Sequence, residues 1–214
     1  MKKILICLLV LLLMPISYVK AEQLNLAESA KSAILIEAST GEIIFEKNPH
    51  EKLVPASMTK IMGMLLVIES IEKGIISWDE MVTISANASG MGGSQILLST
   101  GEKMSVRDLF KGVAIASGND AIVALGEKIA GTEQQFVSMM NKRAKELGLK
   151  NTNFKNPHGL DAANHYSSAY DMAMMAKELV KYDEVLKYTS IYEDYLRADT
   201  DEKVWLVNTN NVVP

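Results

Sequence analysis

The order of apolar and polar positions predicts strands near the beginning of the chain, helices in its middle and a strand near its end. Residues 32–37 and 42–46 are short apolar runs joined by Ser-Thr-Gly, which is typical of a β-hairpin. A helix is predicted from Ser57 to near Gly74, with an apolar run of helical period at 58–71. Short apolar runs at 81–84 and 203–207 predict two further strands.

Capping signals predict the other helices. Ser105, Thr132 and Ser168 are each followed three residues later by Asp or Gln, which is the pattern of a capping box. With these starts, and glycines as stops, helices are predicted over 105–116, 119–130, 132–147 and 168–182. Residues 90–94 are too rich in glycine for regular structure and predict a mobile loop. The order indicates an α+β fold, an α/β sandwich with an antiparallel sheet whose two halves are split by a helical insertion.

The first 21 residues predict an export signal. Lys2 and Lys3 form a basic start, residues 4–16 are an apolar stretch, and residues 19–21 resemble a cleavage site. The apolar stretch is short for a membrane span, and an uncleaved anchor is the alternative interpretation. Cys7, the single cysteine, lies within this segment. Residues 22–214 therefore have no cysteine for a disulfide, a thiol nucleophile or a metal site.

Charge and length limit the classes of function. The chain has 22 basic and 26 acidic residues, and removal of the three lysines in the signal leaves 19 against 26. No basic patch is present, so nucleic acid is not an expected partner. Residues 22–214 are numerous enough for one domain with its own core.

Ser57 and Lys60 are the first candidates for chemistry. Three residues apart at a helix start, they would project from the same face. A desolvated lysine can lose its charge and accept the proton of a serine, and free N–H groups at a helix N-terminus can stabilise an oxyanion. The spacing Ser-x-x-Lys also occurs from Ser17 and from Ser70, but only Ser57 begins a helix. An ordinary capping serine is the alternative for Ser57.

Ser117 and Asn119 are the second pair of candidates. They lie in the tight connection between two apolar helices, where a hydroxyl and an amide could complete a site around Ser57. The alternative is that both side chains only satisfy polar atoms of a buried turn.

The three histidines show no zinc-protease spacing. His158 and His165 flank Asp161 in a loop rich in Asn and Gly, where loop hydrogen bonding is the main interpretation and metal binding the lesser one. The spacing of these residues does not exclude a Ser-His-Asp triad, although the Gly-x-Ser-x-Gly motif that often carries such a serine is absent. No metal and no cofactor is predicted.

Taken together, these segments resemble the D-alanyl-D-alanine carboxypeptidases, the low-molecular-mass penicillin-binding proteins, and most of all their sporulation-associated branch. The likeness extends from residue 32 to the end of the chain. The segments that carry it are Pro-Ala-Ser-Met-Thr-Lys at 55–60, Met-Gly-Gly-Ser at 91–94, Ile-Ala-Ser-Gly-Asn-Asp at 115–120, Leu-Gly-Leu-Lys-Asn-Thr at 147–152, Asn-Pro-His-Gly-Leu at 156–160, His-Tyr-Ser-Ser-Ala-Tyr-Asp at 165–171 and Trp-Leu-Val-Asn-Thr-Asn at 205–210.

The resemblance implies a β-lactamase/transpeptidase-like fold and a role for each candidate. Ser57 would form an acyl-enzyme with the penultimate D-alanine of a peptidoglycan stem peptide and expel the terminal one, with Lys60 as general base. Ser117 would relay a proton to the leaving amine. Asn119 would orient Lys60 and contact the substrate backbone, and the loop at 92–94 would border the cleft. β-Lactams would act as inhibitors, and the site would lie outside the cytoplasmic membrane.

One departure from the family is also expected to matter. The family's Lys-Thr-Gly segment should follow residues 208–210 by about a dozen residues, and it does not occur before Pro214. We therefore expect 22–214 to be an incomplete domain that folds marginally and binds penicillin poorly, with any membrane anchor in the missing C-terminal part. Alternatives to the enzyme are a module that binds β-lactams or stem peptides without turnover, and a truncated, inactive product. A β-lactamase is disfavoured by the Ser-Gly-Asn form of the second motif.

Overall fold

The computed structural model describes residues 26–210 and residue 213. The predicted export signal at 1–21 lies outside the described residues. The described part of the chain has as its first element the antiparallel hairpin of β1 (Ala33–Ile36) and β2 (Ile43–Lys47), which confirms the first predicted hairpin. A 3₁₀ turn, Ala56–Thr59, then leads directly into helix α1 (Lys60–Glu72).

Capping side chains fix the starts of the later helices, as the sequence predicts. Ser105, Thr132 and Ser168 each accept a hydrogen bond from the backbone N–H three residues later. The α-helices that follow α1 are α2 (Ala86–Ser89), α3 (Val106–Ala116), α4 (Asn119–Ala130), α5 (Glu133–Glu146), α6 (Ala169–Leu179) and α7 (Asp183–Thr189).

The remaining strands pair locally. β3 (Met81–Thr83) pairs with β4 (Lys103–Ser105), and β5 (Glu193–Leu196) pairs with β6 (Val204–Val207), both antiparallel. Strands flank the helical block, as expected of the α+β class. Within the described residues they form three separate two-stranded sheets rather than two halves of one continuous sheet.

Helix α1 lies at the centre of the molecule. Ten of its thirteen residues are buried, because helices α3, α4, α5 and α6 all contact it. A helix that is apolar on all sides is stable only in such surroundings. The Ser57 turn is therefore attached to a largely buried helix. No helix in the described part of the chain is both long and apolar enough to cross a membrane.

Candidate active site

Ser57 and Lys60 lie next to each other at the start of α1. Ser57 is exposed within the 3₁₀ turn, whereas the side chain of Lys60 points into the protein and the residue is 2% exposed. Lys60 Nζ is 3.3 Å from Ser57 Oγ. The Ser57 hydroxyl caps neither the turn nor the helix, so the alternative of an ordinary capping serine is not the arrangement found. The hydroxyl is instead within reach of a buried amine.

Lys60 is held in a position where its charged form is disfavoured. Burial lowers the pKa of Lys60 to about 8, and the negative charge of Asp120 opposes part of this shift. With a pKa of about 8, roughly a tenth of the amine is neutral at pH 7. Nζ also donates a 2.8 Å hydrogen bond to the backbone oxygen of His158, which fixes its direction. The amine is therefore poised to accept a proton from Ser57.

The loop at 156–160 presses against the Ser57 turn from outside. Gly159 has φ +91°, and a Cβ there would overlap the carbonyl group of Ala56 and lie 3.1 Å from Ser57 N. Ala56 itself has φ +48°, a left-handed conformation that residues other than glycine seldom adopt. Asn156 clamps this loop, accepting from Gly159 N at 2.6 Å and donating to Leu160 O at 2.8 Å. The close approach at Gly159 thus fixes the backbone that carries the serine.

Ser117 and Asn119 connect α3 to α4. Ser117 ends α3 with φ +56°, is partly buried, and its hydroxyl makes no hydrogen bond within 26–210. Asn119 is 3% exposed, and its Nδ2 donates to Gly92 O at 2.7 Å while its backbone N donates to Ser94 O at 2.7 Å. Asn119 Oδ1 has no hydrogen-bond partner among the described residues. No hydrogen bond between Asn119 and Lys60 forms in this part of the chain.

Asp120 shapes the segment that follows the glycine loop. Its carboxylate is 1% exposed and accepts hydrogen bonds from Ile96 N and Leu98 N, each at 3.1 Å. It also accepts from Ala121 N at 2.8 Å, in the first turn of α4, where a negative charge is favourable. The sequence analysis assigns Asp120 no role. The sequence feature that could have identified Asp120 is an acidic residue that directly follows Ser-Gly-Asn and precedes an apolar helix.

The histidine rings make loop hydrogen bonds, which is the main interpretation given to them above. His158 Nδ1 accepts from Leu160 N at 3.1 Å, and His165 Nδ1 accepts from Lys155 N at 3.1 Å. His165 Nε2 lies 2.8 Å from Thr59 Oγ1. Neither ring hydrogen-bonds to Ser57 in the described region. No group of three or more metal-ligating side chains occurs there either.

An apolar groove of about 430 Å³ lies beside the site but does not contain it. Its lining includes Pro55 and Met58, on either side of Ser57, together with Ile34 of β1 and Met172 of α6. Because neither Ser57 nor Lys60 lines this groove, the candidate chemistry belongs to the exposed junction of the Ser57 turn, the loop at 156–160 and the start of α4.

Comparisons with known proteins identify relatives of this chain. The chain is 60% identical over 189 residues to the D-alanyl-D-alanine carboxypeptidase DacF of Bacillus subtilis, covering 88% of this chain and 49% of DacF. The crystal structure of the carboxypeptidase DacD from Francisella tularensis superposes with a TM-score of 0.80 at 38% identity, over 86% of this chain and 45% of that one. The penicillin-binding protein D2 of Listeria monocytogenes, solved in an ampicillin-bound form, gives a TM-score of 0.75 at 30% identity, over 88% and 76%.

The chain spans about half the length of the curated relatives that it matches. The family profile described as D-alanyl-D-alanine carboxypeptidase matches residues 18–214, nearly all of the sequence. The folds of the solved relatives are those of penicillin-binding proteins, which confirms the fold class expected above. This chain therefore belongs to the D-alanyl-D-alanine carboxypeptidase family of serine peptidases.

Proposed function

We propose that this chain carries the nucleophile and the base of a serine carboxypeptidase that removes the terminal D-alanine from peptidoglycan stem peptides. One observation carries the proposal: Ser57 Oγ lies 3.3 Å from Lys60 Nζ, a buried amine whose pKa is lowered to about 8. A serine beside a neutral amine is an activated nucleophile. Family membership then selects a peptide that ends in D-Ala-D-Ala as the substrate.

The reaction follows from this geometry. Neutral Lys60 accepts the proton of Ser57 as Oγ attacks the carbonyl of the penultimate D-alanine, and the bond to His158 O keeps the amine aligned. N–H groups at the start of the turn stabilise the oxyanion. Ser117 relays the proton from Lys60 to the departing amine of the terminal D-alanine. Water then hydrolyses the acyl-enzyme and regenerates Ser57.

Asn119 is proposed to bind the substrate backbone. Its Nδ2 donates a hydrogen bond to Gly92 O, so the glycine loop fixes the orientation of the Asn119 side chain. Its Oδ1 has no partner in the described residues but is buried, so it accepts a hydrogen bond from a peptide N–H only after a local rearrangement opens it to the cleft. The same site would be acylated by β-lactams, as the ampicillin-bound Listeria relative suggests.

The substrate also suggests where the protein works. Peptidoglycan lies outside the cytoplasmic membrane, so the protein is proposed to be extracytoplasmic, with residues 1–21 as its export signal. The second candidate function is a binding module that is acylated without turnover. The carboxypeptidase would hydrolyse its acyl-enzyme, whereas the binding module would not. Any membrane anchor would belong to a part of the protein other than the residues described here.

The test uses a chimera in which this chain replaces the matched half of Bacillus subtilis DacF. The chimera is expected to release D-alanine from a peptide ending in D-Ala-D-Ala, and Ser57→Ala is expected to abolish the release. Ser70→Ala is the matched control, because Ser70 is buried and its hydroxyl donates to Leu66 O at 2.7 Å. A folded chimera that is acylated by penicillin without releasing D-alanine would support the binding module instead.

A further inference from the structure

We infer that His165 is a positioning residue that holds the Ser57 turn in its reactive geometry through Thr59. The inference rests on the proposed function, because its consequence is a change in the acylation of Ser57. His165 follows Ser57 by more than a hundred residues, and its sequence context mainly indicates hydrogen bonding within its own loop, with metal binding as the lesser interpretation.

The contact is buried and direct. Thr59 is 0% exposed and His165 is 3% exposed, and Oγ1 and Nε2 are 2.8 Å apart. Thr59 is the last residue of the 3₁₀ turn, between Ser57 and Lys60. Its hydroxyl does not cap α1, so its hydrogen bond goes to the histidine ring. A displacement of this ring therefore moves the backbone between the proposed nucleophile and base.

The second nitrogen of the ring fixes its protonation state. Lys155 N–H donates to Nδ1, which must carry a lone pair, so the single proton of the neutral ring lies on Nε2 and is donated to Thr59 Oγ1. A second proton on Nδ1 would face the N–H of Lys155 and replace that hydrogen bond with repulsion. The neutral ring makes both bonds, and the protonated ring makes only one.

The surroundings oppose protonation as well. Burial lowers the pKa of His165, the electrostatic interaction with His158 lowers it further, and the carboxylate of Asp161 acts in the opposite direction. Lys60, which follows Thr59 in the chain, is also titratable. At neutral pH the His165 ring is therefore neutral, and its hydrogen bond to Thr59 fixes the Ser57 turn. In acid the ring is protonated and its loop is displaced.

Two proton dependences should then appear in acylation by a fluorescent penicillin. From pH 8 downward the rate of the chimera should fall about tenfold per pH unit, because only neutral Lys60 accepts the serine proton. Below the lowered pKa of His165 the fall should steepen toward about a hundredfold per unit, because both groups must lose a proton.

His165→Gln separates positioning from general packing. Glutamine can donate to Thr59 and accept from Lys155 but does not titrate, so this variant should keep near wild-type acylation at pH 8 and lose the steep acid limb. His165→Phe, which can make neither bond, should acylate at least about tenfold more slowly at pH 8. His50→Gln is the control, since this exposed ring makes a tilted contact with the ring of Tyr170 and no hydrogen bond with the Ser57 turn in the described residues. A steep limb that persists in His165→Gln, or its absence from the wild type, would overturn the inference.

Nuclear magnetic resonance of the full 214-residue chain gives a readout that does not depend on acylation. The ¹⁵N shifts of the His165 ring should report a proton on Nε2, and the amide signals of Ser57 and Lys60 should titrate together with the ring. In His165→Gln that titration should disappear. If the wild-type chimera is not acylated, the proposed function fails while this measurement still decides the positioning role. A proton on Nδ1, or turn amides that ignore the ring titration, would refute it.

Discussion

Lys60→Arg is expected to lower the rate of Ser57 acylation by about a hundredfold to ten-thousandfold, which is the usual contribution of general acid–base catalysis. Arginine retains a positive charge on a long side chain, but its guanidinium does not give up its proton at any working pH. Only a neutral amine can accept the proton of Ser57, and burial already lowers the pKa of Lys60 to about 8. The measurement is the rate of labelling by a fluorescent penicillin in the chimera.

Two further variants test whether the loss of labelling comes from the loss of a neutral amine at position 60. Lys73→Arg is the matched control, because Lys73 follows the last residue of α1 with a side chain 65% exposed, and its variant should label at the wild-type rate. Lys60→Met removes the charge without adding bulk and should also fail to label while keeping a cooperative thermal melt. An arginine variant that labels as fast as the wild type would rule out Lys60 as the base.

Gly159→Ala is expected to reduce acylation by about a hundredfold and to destabilise the fold by about 1–3 kcal/mol. The added Cβ would overlap the carbonyl group of Ala56, which is backbone and cannot rotate away, so the residue before Ser57 must shift. A shift of residue 159 would also carry the oxygen of the preceding residue, His158, away from Lys60 Nζ. Acylation rate and thermal melting of the chimera measure the two effects.

Gly148→Ala separates the overlap from the cost of backbone conformation. Gly148 also has a positive φ, +72°, but a Cβ there would meet nothing within 4 Å. This control should cost about 1–2 kcal/mol of stability and leave acylation unchanged. Equal loss of acylation in the two variants would show that the close approach of Gly159 to the Ser57 turn has no special role.

Helices α1 and α3 to α6 could be predicted from sequence because their signals are local, whereas the short helices α2 and α7 were not predicted. Ser105, Thr132 and Ser168 cap within three residues, and Gly131 follows the last residue of α4. Strands β4 and β5 were missed for a physical reason. β4 has only three residues, and β5 begins with two acidic residues of low strand propensity, so each depends on a partner strand for its conformation.

Only the part of the candidate site that depends on residues close in sequence could be predicted. The spacing of Ser57 and Lys60 is local to one helical turn, and the spacing alone places the two side chains together. The roles of Gly159 and His165 depend on contacts across about a hundred residues, which no local pattern reports. Asn119 is an intermediate case. Its place in a tight connection can be predicted from sequence, but its hydrogen bond to Gly92 and the lack of a partner for its Oδ1 among the described residues required the structure.

The central claim is that Ser57 is the nucleophile, and peptide mapping of a penicillin adduct tests it most directly. The completed chimera is incubated with benzylpenicillin, digested, and analysed by mass spectrometry. The account predicts one adduct, on the peptide that contains Ser57, and none in Ser57→Ala. An adduct on Ser70 or Ser117, or undiminished labelling of Ser57→Ala, would contradict it.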